Sequence, residues 1–188
     1  MHGQNDKNTY TWMQTSSNAE IDYAAAEWVV LPIEDIANAL ANTCRFNGHC
    51  RTFYSVAEHS VLMSQLVPQD MALAGLLHDA SEAYVSDIPT PLKRFLGDTV
   101  KELELKAMQA IARGYNLSVA ELEHPTIKDL DKKILGEEGR ALMPAHRFWD
   151  QFTDRLGLEF NGWTPAEAKK HFLQRFLALT AQPQAKAS

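Results

Sequence analysis

The sequence predicts an all-α fold, a bundle of roughly six or seven helices preceded by a short irregular N-terminal arm. Three observations carry this expectation. From residue 33 onward apolar residues recur at helical spacing in stretch after stretch, beginning with Ile33, Ile36, Ala37, Leu40 and Ala41. These stretches open on capping residues and close on proline or glycine. No run with strand periodicity rivals them in length.

The first ~30 residues place Trp12, Tyr23 and Trp28 without a sustained period, which predicts a wrapping arm or a short strand pair. Leu31-Pro32 leads into the first helix, and Arg45-Phe46-Asn47-Gly48-His49 forms its exit turn, with glycine supplying backbone freedom. Ser55 is placed to cap a second helix through Val56, Ser60, Met63 and Val67, which Pro68 ends. A third helix is predicted from about Asp70 through Leu73, Leu76, Leu77 and Ala80 to Tyr84. Ser86-Asp87-Ile88-Pro89-Thr90-Pro91 then reads as a stiff loop.

Thr99 with Glu102 resembles a capping box opening a helix through Leu103, Ala107, Ala110 and Ile111, before Gly114. Ser118 with Glu121 begins a short successor, and Pro125 starts a helix through Ile127, Leu130, Ile134, Leu135 and Leu142 that stops before Pro144. Thr164, Pro165 and Glu167 open the last helix, whose stripe is Ala168, Phe172 and Phe176. The 188 residues contain no internal repeat and read as a single domain with its core at about 30–180 and a loose tail at 181–188.

Composition narrows the class of function. A hydrophobic fraction of 45% with 22% charged residues is that of an ordinary globule, which excludes disorder and a membrane-embedded class. The formal charge of -6 weighs against a large phosphate-backbone footprint, so no stable nucleic-acid partner is expected. Cys44 and Cys50 do not form a secreted-type disulfide framework or a usual zinc knuckle. No stretch approaches the roughly 18 apolar residues of a membrane span, and no signal-peptide pattern opens the chain. A cytoplasmic protein without a membrane partner is the expectation.

The chemistry-bearing residues fall in two segments. Residues 51–59 read Arg-Thr-Phe-Tyr-Ser-Val-Ala-Glu-His, and residues 76–87 read Leu-Leu-His-Asp-Ala-Ser-Glu-Ala-Tyr-Val-Ser-Asp. Two helical histidines and the adjacent His78-Asp79 pair supply nitrogen and oxygen ligands suited to a borderline divalent ion. His78 and Glu82 are four apart, so one continuous helix would put them on one side, with Asp79 near the same centre. That arrangement sets metal ligands beside a proton-transfer group. A single histidine in such a pattern is more often a satisfied core or surface residue, so the combination carries the reading.

The run around His59, His78-Asp79, Glu82 and Asp87 resembles the HD superfamily of metal-dependent phosphohydrolases. Arg-Phe-x-Gly-His at 45–49 and Tyr-Ser-Val-Ala-x-His at 54–59 resemble its bacterial and phage deoxynucleotidase-like branch, over about residues 30 to 143. The resemblance implies an HD-domain helical bundle with one divalent transition metal (Co, Mn, Zn, Ni or Fe) held by His59, His78, Asp79 and Asp131, Asp129 being the competing last ligand. It further implies that Glu82 serves acid–base catalysis, that Asp87 orients sugar or water and that Arg45 holds the phosphate. Lys93 and His49 are further substrate contacts, each with a solvent-facing alternative. The implied activity is hydrolysis of phosphate from a small deoxynucleotide by metal-activated water.

A triphosphohydrolase releasing tripolyphosphate, a cyclic-nucleotide phosphodiesterase and a noncatalytic nucleotide-binding regulatory module are the alternatives, and dimeric relatives imply a homodimer. One position departs from the pattern: better-known members have Arg-Trp where this chain has Arg45-Phe46. No Walker loop or nucleophile elbow is present, so a covalent enzyme intermediate is not suggested. Trp12, Trp28, Trp149 and Trp163 read as packing residues, and His124, His146 and His171 as surface residues.

Overall fold

The computed structural model describes residues 10–181, and these are mostly helical with one two-stranded sheet. The N-terminal arm takes the paired form: β1 (Trp12–Gln14) runs antiparallel to β2 (Glu20–Asp22), with Met13 opposite Ile21. Only Ile21 of the two strands is buried, and it pins the hairpin to the core. The connecting turn is held by Asp35, in the first turn of α1 (Ile33–Asn42). Its carboxylate accepts the Thr15, Ser16 and Ser17 hydroxyls at 2.6 Å each and the Ser17 N–H at 2.8 Å. A negative charge in that first turn also faces the positive end of the helix dipole.

α2 (Val56–Leu66) begins as the sequence predicts, with the Ser55 hydroxyl accepting the Glu58 N–H at 3.1 Å. This helix lies against α1, α3 (Ala72–Leu77), α8 (Pro125–Leu142) and α9 (Pro165–Thr180), and every residue from Val56 to Val61 is buried. A helix covered on several sides must find partners for its polar residues as well as its apolar ones. Glu58, His59, Ser60 and Ser64 are therefore under strong constraint, and the candidate site grows from His59. Phe172 of α9 and Leu76 and Leu77 of α3 are fully buried around α2. Each such side chain contributes about 1.5–3 kcal/mol relative to exposure.

Three expectations about the middle of the chain need correction. The helix predicted from about Asp70 to Tyr84 is not continuous: α3 ends at Leu77, and α4 (Glu82–Val85) starts after a tighter turn. Across that turn the bonds step by three residues, with Ala80 N–H to Leu77 O at 3.0 Å, Glu82 N–H to Asp79 O at 2.9 Å and Ala83 N–H to Ala80 O at 3.2 Å. The His78 ring is bonded to Gly75 O at 2.8 Å, the carbonyl that Asp79 N–H would use in a continuing α-helix. With three residues per turn, Asp79 and Glu82 align instead of His78 and Glu82.

The stiff loop ends earlier than expected, because α5 (Thr90–Leu96) begins within it; Pro91 lies in the first turn, where a missing N–H costs nothing. The Thr99–Glu102 capping box does not form. Instead α6 (Asp98–Tyr115) starts directly after Gly97, whose φ of 72° supplies the hinge from α5. The other signals hold: Ser118 and Glu121 box α7 (Val119–Leu122), Pro125 opens α8, and Thr164 and Glu167 box α9. Counting the four-residue turns, nine α-helices occur among the described residues against six or seven predicted.

Gly136 and Gly139 of α8 let the 3-10 turn Arg147–Gln151 and Phe152 lie directly on that helix. A Cβ at these glycines would meet Phe152 at 2.4 Å and Trp149 at 2.2 Å. Apart from Ala181, the tail predicted at 181–188 lies outside the described residues. No helix among the described residues is long and apolar enough to cross a membrane.

Candidate metal centre

α2, the end of α3 and α8 each bring one nitrogen or oxygen ligand to a common point. Ligand atoms of His59, His78 and Asp131 all lie within 4.8 Å of one another. His59 Nε2 is 3.3 Å from His78 Nε2 and 3.2 Å from Asp131 Oδ1. Asp79, on the tight turn after α3, places Oδ2 at 3.5 Å from His59 Nε2 and 3.2 Å from His78 Nε2. The competing Asp129 is exposed and paired with Lys133 at 2.7 Å, one turn along the helix surface.

The chemistry of this donor set fits a divalent ion. Two imidazoles and two carboxylates are the ligand types that borderline transition metals take. The far nitrogens are also occupied, His59 Nδ1 by Glu138 Oε1 at 2.6 Å and His78 Nδ1 by Gly75 O at 2.8 Å. These Nδ1 contacts orient both rings so that each Nε2 faces the common point.

The electrostatics favour positive charge at this point. Burial and the Arg45 charge pull the His59 pKa down, but Glu138 and the ring's hydrogen bonds to Asp131 and Glu138 outweigh them and push it up to about 10. Burial would raise Asp79, yet His78, His59 and Arg45 hold its carboxyl well below the usual range. Asp131 is lowered likewise, its hydrogen bond to His59 prevailing over burial. Proton and metal ion compete for the same nitrogen, so metal binding here releases protons.

Arg45 enters from the turn after α1. Phe46 and Asn47 are both left-handed, with φ of 55° and 53°, and this kink sits directly beside Arg45. Such residues cost roughly 1–2 kcal/mol each, a strain typical of positions that aim a functional group. The Arg45 guanidinium donates Nε–H to Glu138 Oε2 at 3.1 Å, with Nη2 ion-paired to the same oxygen at 3.0 Å, and reaches Asp79 Oδ2 through Nη1 at 3.5 Å. Ser86, just before Asp87, is similarly strained, with φ 68° and ψ 166° at the end of α4.

A cleft of about 190 Å³ opens beside the cluster, lined by His78, Asp79, Glu82, Lys93, Ile127 and Asp131 among others. Burial, then the charges of Asp79 and Asp87, raise the Glu82 pKa well above the ordinary carboxyl value, and Glu82 Oε2 is buried without a hydrogen-bond partner among the described residues. Burial raises Asp87 as well, although the nearby Arg45 opposes it. Lys93 reaches the cleft from α5 and is paired with Glu104 of α6 at 2.6 Å.

His49 is not brought into the cluster; it is exposed on the turn, its N–H bonded to Phe46 O at 3.0 Å. His124 and His146 cap helices by accepting the N–H groups of Thr126 at 3.2 Å and Phe148 at 3.1 Å, and His171 stacks on Trp163 at 4.2 Å. Sequence reasoning missed Glu138 as a partner of His59 and Arg45. The one available signal is spacing, since Asp131 and Glu138 are seven apart and share a face of α8.

Fold and cluster together define a helical protein with a histidine–carboxylate centre that could hold a metal ion. No family model matches the sequence. The chain is 40% identical over 170 residues to the uncharacterized protein YfdR of Escherichia coli strain K12, covering 88% of this chain and 94% of that protein. It is 34% identical over 115 residues to an uncharacterized protein of Rhodobacter capsulatus, covering 56% and 59% respectively. The chain belongs to the family of YfdR.

Proposed function

We propose that this protein is a metal-dependent phosphohydrolase of the HD type that removes phosphate from a small deoxynucleotide. The observation that carries the reading is the gathering of His59, His78 and Asp131, with Asp79 at 3.5 Å and 3.2 Å from the two histidine nitrogens and the Arg45 guanidinium against Asp79, beside a cleft that Glu82 lines with a raised carboxyl. A bound divalent ion supplies Lewis acidity to the phosphate and lowers the pKa of a coordinated water.

The chain's own residues supply the rest. Arg45 uses part of its donor fork on Glu138 and Asp79 and has N–H groups left for phosphate oxygens, stabilising charge as it builds. Glu82, whose carboxyl is shifted toward its protonated form by burial and by the charges of Asp79 and Asp87, donates its proton to the leaving oxygen. Asp87 orients the sugar or the attacking water, and Lys93, in the lining of the cleft, adds positive charge.

The test is a metal-supplemented screen of ribo- and deoxynucleoside mono-, di- and triphosphates and cyclic nucleotides, with chromatographic identification of products. Inorganic phosphate and nucleoside from deoxynucleotides, formed only with metal, are the expected products. Tripolyphosphate would move the reaction to the triphosphohydrolase type. Stoichiometric nucleotide binding without any product would overturn the catalytic reading.

A further inference from the structure

Glu138 is fully buried, yet each of its carboxylate oxygens bonds to a side chain of the candidate site. Oε1 lies 2.6 Å from His59 Nδ1, while Oε2 accepts Nε of Arg45 at 3.1 Å and pairs with Nη2 at 3.0 Å. We infer that Glu138 is a positioning residue that couples metal binding to anion binding, one oxygen fixing the metal-facing ring of His59 and the other fixing the anion-facing fork of Arg45. The inference rests on the metal-dependent reading of the cleft and goes beyond it, because Glu138 itself touches neither metal nor substrate.

Three features argue for this role over that of a simple buried counter-ion. Asp131 and Glu138 stand two helical turns apart on one face of α8, so a single rigid helix delivers a candidate ligand and the brace behind another ligand. The Arg45 contact is made by two donors of the planar fork, which fixes direction as well as charge. With Oε1 on one side chain and Oε2 on the other, a shift of either partner is transmitted to the second through a buried, rigid group. An anion that draws Arg45 toward the cleft therefore changes the support of His59, and metal on His59 changes the support of Arg45. Such coupling is reciprocal in binding free energy.

Glu138→Gln separates the roles. The amide keeps the volume but offers one accepting oxygen; if that oxygen serves His59, the NH2 group confronts the donors of Arg45. The probes are cobalt(II), followed by its visible absorption, and inorganic phosphate, both read by calorimetry without turnover. In the wild type, phosphate should alter cobalt affinity and cobalt should alter phosphate affinity by the same factor. In folded Glu138→Gln, cobalt affinity should fall about 10–100-fold, the cobalt spectrum should change and the coupling factor should drop below the wild-type value, leaving only what direct contact between metal and phosphate supplies. Glu137→Gln, on the adjacent residue, should leave all three readings as in the wild type.

A folded Glu138→Gln protein with wild-type cobalt affinity, spectrum and coupling would overturn the inference, as would a wild type that binds no cobalt. Should Glu138→Gln not fold, Arg45→Lys decides the matter, because an ammonium cannot supply the two-donor fork. Because Arg45 also contacts Asp79 at 3.5 Å, weakened cobalt binding in Arg45→Lys would support the coupling when the nuclear magnetic resonance signal of the His59 Nδ1 proton shifts with it, and an unchanged His59 signal would overturn it. A wild type that binds cobalt and phosphate cooperatively yet hydrolyses no nucleotide would sink the proposed reaction while leaving the role of Glu138 in place.

Discussion

Asp35, Glu58 and Glu137 differ from Asp79, Asp131 and Glu138 in what their carboxylates touch. Glu58 accepts the N–H groups of Asn161 at 2.7 Å, Gly162 at 3.1 Å and Trp163 at 2.8 Å, while Glu137 accepts those of Leu156 at 2.8 Å and Leu158 at 3.0 Å. Asp35 likewise holds the backbone and hydroxyls of 15–17. These three fasten irregular segments to α1, α2 and α8. Glu137 adds to its backbone bonds an Arg140 contact at 3.3 Å on its own helix, whereas Asp79, Asp131 and Glu138 meet the ionisable side chains His59, His78 and Arg45.

The contrast is sharpest between sequence neighbours. Glu58 and His59 on α2, like Glu137 and Glu138 on α8, point to different sides because successive helical residues diverge by about 100°. One member of each pair secures the chain at 156–163, and the other enters the polar centre. A carboxylate committed to backbone N–H groups has no chemistry to exchange. One that meets the His59, His78 and Arg45 side chains sits among groups that can bind a cation or an anion.

The largest expected effect belongs to the second set. Glu82→Gln should keep metal and nucleotide affinity but lower the single-turnover rate by about 10²–10⁴-fold, because an amide cannot pass on the proton that Glu82 holds. An unchanged rate, with metal content checked by elemental analysis, would remove Glu82 from acid–base chemistry. Loss of both metal and affinity would instead place it in the coordination shell.

Glu137→Gln tests the first set. Its single accepting oxygen can serve one of the two N–H groups from Leu156 and Leu158, so the variant should lose about 1–3 kcal/mol in urea denaturation without losing metal. Weakened metal binding in this variant would erase the distinction between the two sets.

Asp35 gives the smallest effect, through pH. Burial would raise its pKa, but the hydrogen bonds from Ser16, Ser17 and Thr15 prevail and lower it. A lowered folded-state pKa means that the stabilisation is present above the unfolded-state value and is lost as pH falls through the folded-state value. The stability gap between wild type and Asp35→Asn, with roughly 0.3–1 kcal/mol from the helix-dipole charge alone, should therefore narrow on acidification. A gap independent of pH would show that the charge of Asp35 is not what holds the turn.

Local signals in the sequence identified several of these elements, while partners distant in sequence escaped it. Ser55, the Ser118–Glu121 and Thr164–Glu167 boxes and Pro125 mark helix starts correctly because capping is settled within four residues. Thr99 and Glu102 carry the same signal, but Gly97 turns the chain two residues before Thr99. The break after Leu77 was hidden because periodicity alone cannot distinguish a three-residue step from a four-residue step over one turn. His59, His78, Asp79 and Asp131 were nominated from a resemblance to a family pattern, and the structure brings His59, His78 and Asp131 within 4.8 Å of one another with Asp79 Oδ2 at 3.5 Å and 3.2 Å from the two histidine nitrogens. Glu138 was not, since its partners lie 79 and 93 residues away. Glu58, beside a candidate ligand, gave no sign that it faces 161–163 instead.

Metal content and turnover measured together on Asp79→Ala test the central claim most directly. Asp79 contributes an oxygen near both histidine nitrogens but, among the described residues, makes no side-chain bond that fastens a distant segment of backbone. The variant should fold, bind metal far more weakly than the wild type by elemental analysis and lose metal-dependent hydrolysis of the preferred nucleotide. Metal content and turnover both at wild-type levels in folded Asp79→Ala would contradict the account.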